Sequence, residues 1–252
     1  DAILQGPFGL AVSPDGSIYV ADSAAHVVRR IDRAGTIRTV FGYPHQNYGV
    51  PGSTPATSLQ LTSPRGLAIG PDGALYVGSA NQFAGRVHRV DPVAGTWSYV
   101  IRGMTYTCPQ LEAFGGTAPA LDSWIPPTIT ALVFGPAGEL YLTARSEVAL
   151  SENEFSSVLE IRPDGFLQLV AGRCESGTCG ETNWVCSGFS GEGGYAATSL
   201  LGNITGLSLA PNGDLVLSDY LHHVVQKIDS LGYLSRVSGT GVAGSSVLGT
   251  PA

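Results

Sequence analysis

Apolar residues in this chain come in short runs, and four of the runs begin alike. Gly9-Leu10-Ala11-Val12 leads into Ser13-Pro14-Asp15-Gly16, and Gly66-Leu67-Ala68-Ile69 into Gly70-Pro71-Asp72-Gly73. Ala131-Leu132-Val133-Phe134 leads into Gly135-Pro136-Ala137-Gly138, and Gly206-Leu207-Ser208-Leu209 into Ala210-Pro211-Asn212-Gly213. Short runs rich in Val, Ile, Leu and Tyr between turn residues read as β-strands. In Pro-Asp-Gly the proline fixes φ, the aspartate tolerates the left-handed region and the glycine supplies a positive φ. A second strand follows each turn, at 17–20, 74–77, 139–142 and 214–217. A third ends near Ile31, Val90, Ile161 and Ile228, and a fourth covers 36–41, 96–101, 166–171 and 233–238. The spacing predicts sixteen strands in four antiparallel meanders, with almost no helix. The longest excursion inside a unit is expected at 145–156, in unit three.

A four-stranded meander has two faces and cannot bury both alone. Stacking such units face to face around an axis covers them, which is the β-propeller solution. The residues from Gly9 to Gly42, with Ile18-Tyr19-Val20-Ala21-Asp22, His26, Val28-Arg29-Arg30-Ile31-Asp32 and Ala34-Gly35, resemble the NHL repeat. The segment Gly188-Phe189-Ser190-Gly191-Glu192-Gly193-Gly194-Tyr195-Ala196-Ala197 resembles a linker of the NHL arrays in teneurins and bacterial Rhs/YD-repeat proteins. Gly115-Gly116-Thr117-Ala118-Pro119-Ala120 and Gly52-Ser53-Thr54-Pro55-Ala56 are shorter versions of it. The resemblance implies an all-β propeller of four-stranded antiparallel blades, in a family usually closed by six. The repeats divide as 1–56, 57–120, 121–197 and 198–252. Two readings follow: a whole small ring, or a segment of a larger, six-bladed one. An open segment leaves apolar blade faces for more chain or another copy to cover.

Charge narrows the function. The formal net charge is −7, and Lys227 is the only lysine. A nucleic-acid partner is not expected, because phosphate binding needs basic surface to release counterions. The RNA-binding mode of some NHL propellers implies a basic face of this kind. No apolar run approaches the length of a membrane-spanning helix, so no membrane insertion is expected. The first residue is Asp1, as expected of a processed or excised product. Cys108, Cys174, Cys179 and Cys186 lack CxxC spacing and lie in Gly-rich stretches. They read as two disulfides and an oxidising, extracellular or cell-envelope compartment.

Catalytic signals are weak. His26 and His223 share one repeat position, as Asp22 and Asp219 share another, and recurrence marks a structural role. The aspartates are expected to bond the backbone of the following turn. There is no HExxH, GxSxG or P-loop. No catalytic or metal-ligating residue is assigned and no cofactor is expected, with a structural calcium left open. Asn203-Ile204-Thr205 is a glycosylation sequon in an awkward place, just before an inner strand.

The connections between units carry more information. They hold Tyr43, Tyr48, Tyr106 and Trp184, candidate ligand-face residues, and all four cysteines. Phe114, Trp124, Phe189 and Tyr195 are instead expected to fill the grooves between blades. Phe8, Arg65, Thr130 and Thr205 share one position at the start of the inner strand and differ while their neighbours repeat. Phe8 and Arg65 are therefore further candidates. The reading is a non-catalytic extracellular binding or scaffold module that presents aromatic inter-blade loops to a protein or glycan. Alternatives are a lyase- or hydrolase-like propeller with a metal in the central channel, and a self-assembling repeat whose partners are further copies of itself or the rest of a longer chain.

If both disulfides form, Cys108 pairs with one of Cys174, Cys179 and Cys186. Closing a loop of that size stabilises by about 3–4 kcal/mol in the chain-entropy model. A thiol reagent applied to denatured, non-reduced protein is expected to find no free thiol. Four free thiols would remove the staple.

Overall fold

The computed structural model describes residues 3–43, 55–59, 61–80, 84–103, 118–121, 123, 125–146, 155–172 and 189–244. Blade one is β1 (Pro7–Val12), β2 (Ile18–Asp22), β3 (Val27–Ile31) and β4 (Ile37–Phe41). Blade two is β5 (Pro64–Ile69), β6 (Leu75–Ser79), β7 (Arg86–Asp91) and β8 (Thr96–Ile101). After a two-residue strand, β9 (Ala118–Pro119), blade three is β10 (Thr128–Phe134), β11 (Leu140–Ser146), β12 (Phe155–Ile161) and β13 (Phe166–Ala171). Blade four is β14 (Ile204–Leu209), β15 (Leu215–Asp219), β16 (Val224–Ile228) and β17 (Leu234–Ser238). Each blade is an antiparallel sheet in chain order, and β9 adds a fifth strand to the outer edge of blade three. Two single-turn 3-10 segments, at 56–58 and 196–198, are the only helix among the described residues.

The first turn of every blade is built the same way. Gly16, Gly73, Gly138 and Gly213 take φ of +80°, +76°, +92° and +89°. Asp15, Asp72 and Asn212 each accept the N–H two residues ahead, at 2.9, 3.1 and 3.2 Å. Ala137 stands at that position in blade three and has no acceptor. Glu139 supplies one from the other side, taking the Ala137 N–H at 3.0 Å. The Ser13 hydroxyl and the Ser17 N–H hold the Asp15 carboxyl well below the usual carboxylate range.

Apolar clusters lie between successive blades. Tyr19, Val28 and Phe41 of blade one meet Leu67, Val77 and Trp97 of blade two. Ile101 meets Ile129 and Leu142 across the next interface, and Val158 meets Ile204 and Leu217 across the third. The inner strands pack in the order β1, β5, β10, β14, and among the described residues no comparable contact joins β14 back to β1. Leu67 and Leu132, which face the preceding blade, are each 6% exposed, whereas Leu10 at the same position of β1 is 64% exposed and Val12, two residues on, is 66% exposed. The described blades therefore form an open row, with one apolar face of blade one uncovered.

The connections do more than join one blade to the next. Each dips into the wedge between outer strands and places one alanine there. Ala56, Ala120 and Ala196 are all buried. Their N–H groups donate to the carbonyls of Gly95, Gly165 and Gly232, at 2.9, 2.9 and 2.8 Å, in the outer turn of the following blade. The Ala56 carbonyl also accepts the Gly42 N–H of blade one at 3.0 Å, so one small residue clamps two blades.

His88 sits in the cluster between blades one and two, 1% exposed, with Phe41, Trp97 and Tyr99 at ring-centroid distances of 5.4, 5.9 and 5.0 Å. Its Nε2 lies 3.1 Å from Ser79 Oγ. Burial, helped by the Arg86 charge, lowers its pKa from 6.5 to about 3. The unfolded chain takes up a proton below pH 6.5 that the folded chain refuses. Stability therefore falls as pH drops through 6.5, by about 1.4 kcal/mol per pH unit at full slope, and this loss ends near pH 3. His88→Gln keeps a polar partner for Ser79 and does not titrate. Urea unfolding between pH 6 and 5 is expected to show a flatter pH dependence in that variant. Equal slopes would contradict the assignment.

Candidate functional site

In an antiparallel blade, the start of the first strand, the turn between the second and third and the end of the fourth share one end of the sheet. That end collects Phe8, Arg65, Tyr43, Arg145 and the turns after β2 and β15. It is the place to look for a site, and much of its chemistry is scaffold. Asp22 Oδ1 accepts the N–H groups of Gln5 and Gly6, both at 2.9 Å. The carboxylate thus holds the segment leading into the inner strand, not the following turn. Asp219 does both, taking the N–H of Gly202 at 3.1 Å and of His222 at 3.1 Å. His26 and His223 take φ of +58° and +52°, and His26 Nδ1 accepts the Ser63 N–H of blade two at 3.0 Å. Both pairs are explained by backbone geometry.

The four varying positions at the inner-strand start divide in two. Phe8 and Arg65 meet: the guanidinium lies 5.0 Å from the ring centroid, and Phe8 is 49% exposed. Thr130 is buried, 2.6 Å from Thr143 Oγ1, and donates to the Ile204 carbonyl at 2.9 Å. Thr205 lies 3.2 Å from Ser218 Oγ. Two of the four are therefore fasteners, Thr130 buried and Thr205 half-buried. The sequon asparagine is also engaged: Asn203 is 7% exposed and its Oδ1 accepts Arg145 Nη1 at 2.6 Å, which leaves no room for a sugar.

Among the linker aromatics, Tyr43 lies just beyond β4 and is exposed. Tyr48, Tyr106, Trp184, Phe114 and Trp124 lie outside the described residues, as do Cys108, Cys174, Cys179 and Cys186. Tyr195 is not groove filler. It is 57% exposed, and buried Ala196 fills the wedge beside it. Phe189 packs on His222 (5.0 Å between centroids), and Arg236 lies 5.5 Å over the Phe189 ring.

The turn after β15 escaped the sequence reading. Tyr220 is 69% and Leu221 44% exposed, next to His222. Blade one has Ser23 and Ala24 at the same two positions. The signal was the rule that picked out Phe8 and Arg65: large side chains that break a repeat. Chemically the surface offers flat apolar area with flanking charge, suited to recognition. Among the described residues, no three His, Cys, Asp or Glu side chains converge as a metal site would require.

Comparison with known proteins places this geometry. Teneurin-4 of Homo sapiens is 29% identical over 226 residues, which is 87% of this chain and 8% of that protein. Teneurin-m of Drosophila melanogaster is 27% identical over 240 residues, 91% of this chain and again 8% of that one. The chain thus spans less than a tenth of the length of these relatives. In fold it is similar to an auxiliary nutrient binding protein from Bacteroides ovatus (TM-score 0.58, 11% identity, 95% of this chain and 48% of that one). It is similar also to a streptogramin B lyase (TM-score 0.51, 13% identity, 94% of this chain and 56% of that one). These two likenesses carry the fold alone. The family described as the teneurin NHL domain matches residues 1–229, and the chain belongs to that family.

Proposed function

We propose that this chain is a non-catalytic recognition and scaffold segment of a longer extracellular protein, binding a protein or glycan through the linker end of its blades. The observation that carries the proposal is the Tyr220-Leu221 turn, where a repeating scaffold replaces two small residues by two large exposed ones. Phe189, His222 and Arg236 stand beside it, held by ring contacts and by the Arg236–Glu192 ion pair at 2.7 Å. A surface ordered before contact loses less side-chain entropy on association, about 0.5–1.5 kcal/mol for each side chain otherwise immobilised. Phe8, Arg65 and Tyr43 extend the same end toward blades one and two.

The uncovered face of blade one bears on the partner question. Leu10, Val12 and Ile18 are all exposed there. In blades two and three the same face is covered by the blade before. We assign the cover of this face to further blades of the same polypeptide, in keeping with a chain that spans 8% of its relatives.

The test uses fluorescently labelled chain on intact cells, with Tyr220→Ala, Leu221→Ala and Tyr43→Ala made singly. Saturable binding that falls at least tenfold in the Tyr220 or Leu221 variant, with the melting point held, is the expected result. Protease or glycosidase treatment of the cells then separates a protein partner from a glycan. Binding unchanged in all three variants would overturn the recognition surface. A stoichiometric metal in the purified chain would favour the enzymatic reading.

A further inference from the structure

Tyr195 and Tyr233 form a pair that neither the scaffold nor the recognition surface uses. Tyr195 comes from the linker before blade four, and Tyr233 follows 38 residues later, just before β17. Their ring centroids are 4.5 Å apart with the planes 26° from parallel. The Tyr233 hydroxyl donates to Tyr195 Oη at 3.0 Å. With centroids and oxygens both adjacent, the rings lie head to head, and carbons ortho to the two oxygens oppose one another. The backbone beneath is fixed on both sides of the pair. Gly193 N–H donates to Leu234 O at 2.8 Å, Leu234 N–H to Gly194 O at 2.9 Å, and Ala196 N–H to Gly232 O at 2.8 Å. The rings are nevertheless open to solvent, 57% and 37% exposed.

The pair belongs to blade four alone. The residue before the buried alanine is Pro55 and Pro119 in the two earlier linkers, and the counterparts of Tyr233 are Thr96 and Phe166. Backbone pairing and the alanine clamp work in those places without tyrosine. Stacking therefore adds something beyond the clamp.

We propose that Tyr195 and Tyr233 are an oxidative cross-linking site, at which a one-electron oxidant such as a peroxidase with hydrogen peroxide joins the two rings as dityrosine. Each phenol gives one electron and its hydroxyl proton to the oxidant and becomes a phenoxyl radical, with spin density on the ortho carbons. The two ortho carbons share their unpaired electrons in a new carbon–carbon bond. The hydrogen on each joined carbon then leaves as a proton while another returns to the ring oxygen, restoring both phenols. In total two electrons and two protons leave the protein, and one hydrogen peroxide takes them up to give two waters. Holding the partners in contact makes the coupling intramolecular, which favours it strongly over collision with another chain. The product ties the linker covalently to the outer edge of blade four, closing a loop between residues 195 and 233 as a disulfide would. The inference does not depend on the recognition surface.

The experiment treats dilute folded chain with a peroxidase and limiting hydrogen peroxide, then reads dityrosine fluorescence and maps cross-linked peptides from the monomer. The expected product is a single 195–233 link with the loss of two hydrogen atoms and a raised melting point. Tyr195→Phe and Tyr233→Phe, checked for folding by circular dichroism, are each expected to lose the link and the rise. Chain unfolded in urea before oxidation is expected to lose the preference for this pair among its ten tyrosines. A monomer that stays unlinked while Tyr220 is oxidised would overturn the proposal. So would a link that maps elsewhere or survives in either variant. Mapping of the unsubstituted chain decides the matter even where a variant fails to fold.

Discussion

Where one blade meets the next, the strands near the axis must leave part of one face almost bare, because the next blade comes close against it. A Cβ on Gly9 of β1 would lie 1.8 Å from the Arg65 carbonyl oxygen, and one on Gly78 of β6, the second strand of blade two, would lie 2.4 Å from Ile129 Cγ2. No side chain fits such gaps without moving a blade. The opposite face carries the bulk, in Leu67, Leu132 and Leu207. Bare face against bulky face, repeated, gives the row of blades its direction. It also explains the open end: Leu10 and Val12 are bulky-face residues with no bare face against them.

Much of this was legible in the sequence because the repeat states it four times. The Gly-Leu-x-φ runs, the Pro-Asp-Gly turns and the strand spacing lead directly to sixteen blade strands, and their bounds differ from the observed ones by a residue or two except in blade three, where β10 starts three residues earlier and β11 ends four residues later. The path of the linkers was less legible. Pro55-Ala56 and Pro119-Ala120 stood out only as the ends of shortened linkers, yet each alanine is a buried clamp whose partner is a glycine carbonyl some forty residues downstream. A backbone acceptor leaves no mark on residue identity, so periodicity alone could not find it. The same blindness applied to Asp22, whose acceptor role was clear but whose donors, Gln5 and Gly6, lie in the opposite direction along the chain.

At the candidate site, the rule that variation within a repeat marks function was only half selective. It singled out Phe8 and Arg65, which meet on the surface, but also Thr130 and Thr205, which are fasteners between strands and blades. It was not applied to the turn after β15, where Tyr220 and Leu221 replace serine and alanine. What each side chain touches separates the two outcomes, and for Thr130 the partner lies in the neighbouring blade, which a single repeat does not encode. The division that results is physically sensible. Positions that touch the next blade repeat or fasten, and positions at the linker end are free to carry specificity.

The most direct measurement of this account is the thermal unfolding of Gly9→Val against the unsubstituted chain, with Val93→Ala, at a position 96% exposed, as the surface control. A valine Cβ at the first interface has only the Arg65 carbonyl to meet. The account requires a loss of at least about 3 kcal/mol, at the upper end of overpacking costs, while the control stays within about 0.5 kcal/mol. A Gly9→Val chain that melts with the unsubstituted protein would show that the blades do not depend on this close approach.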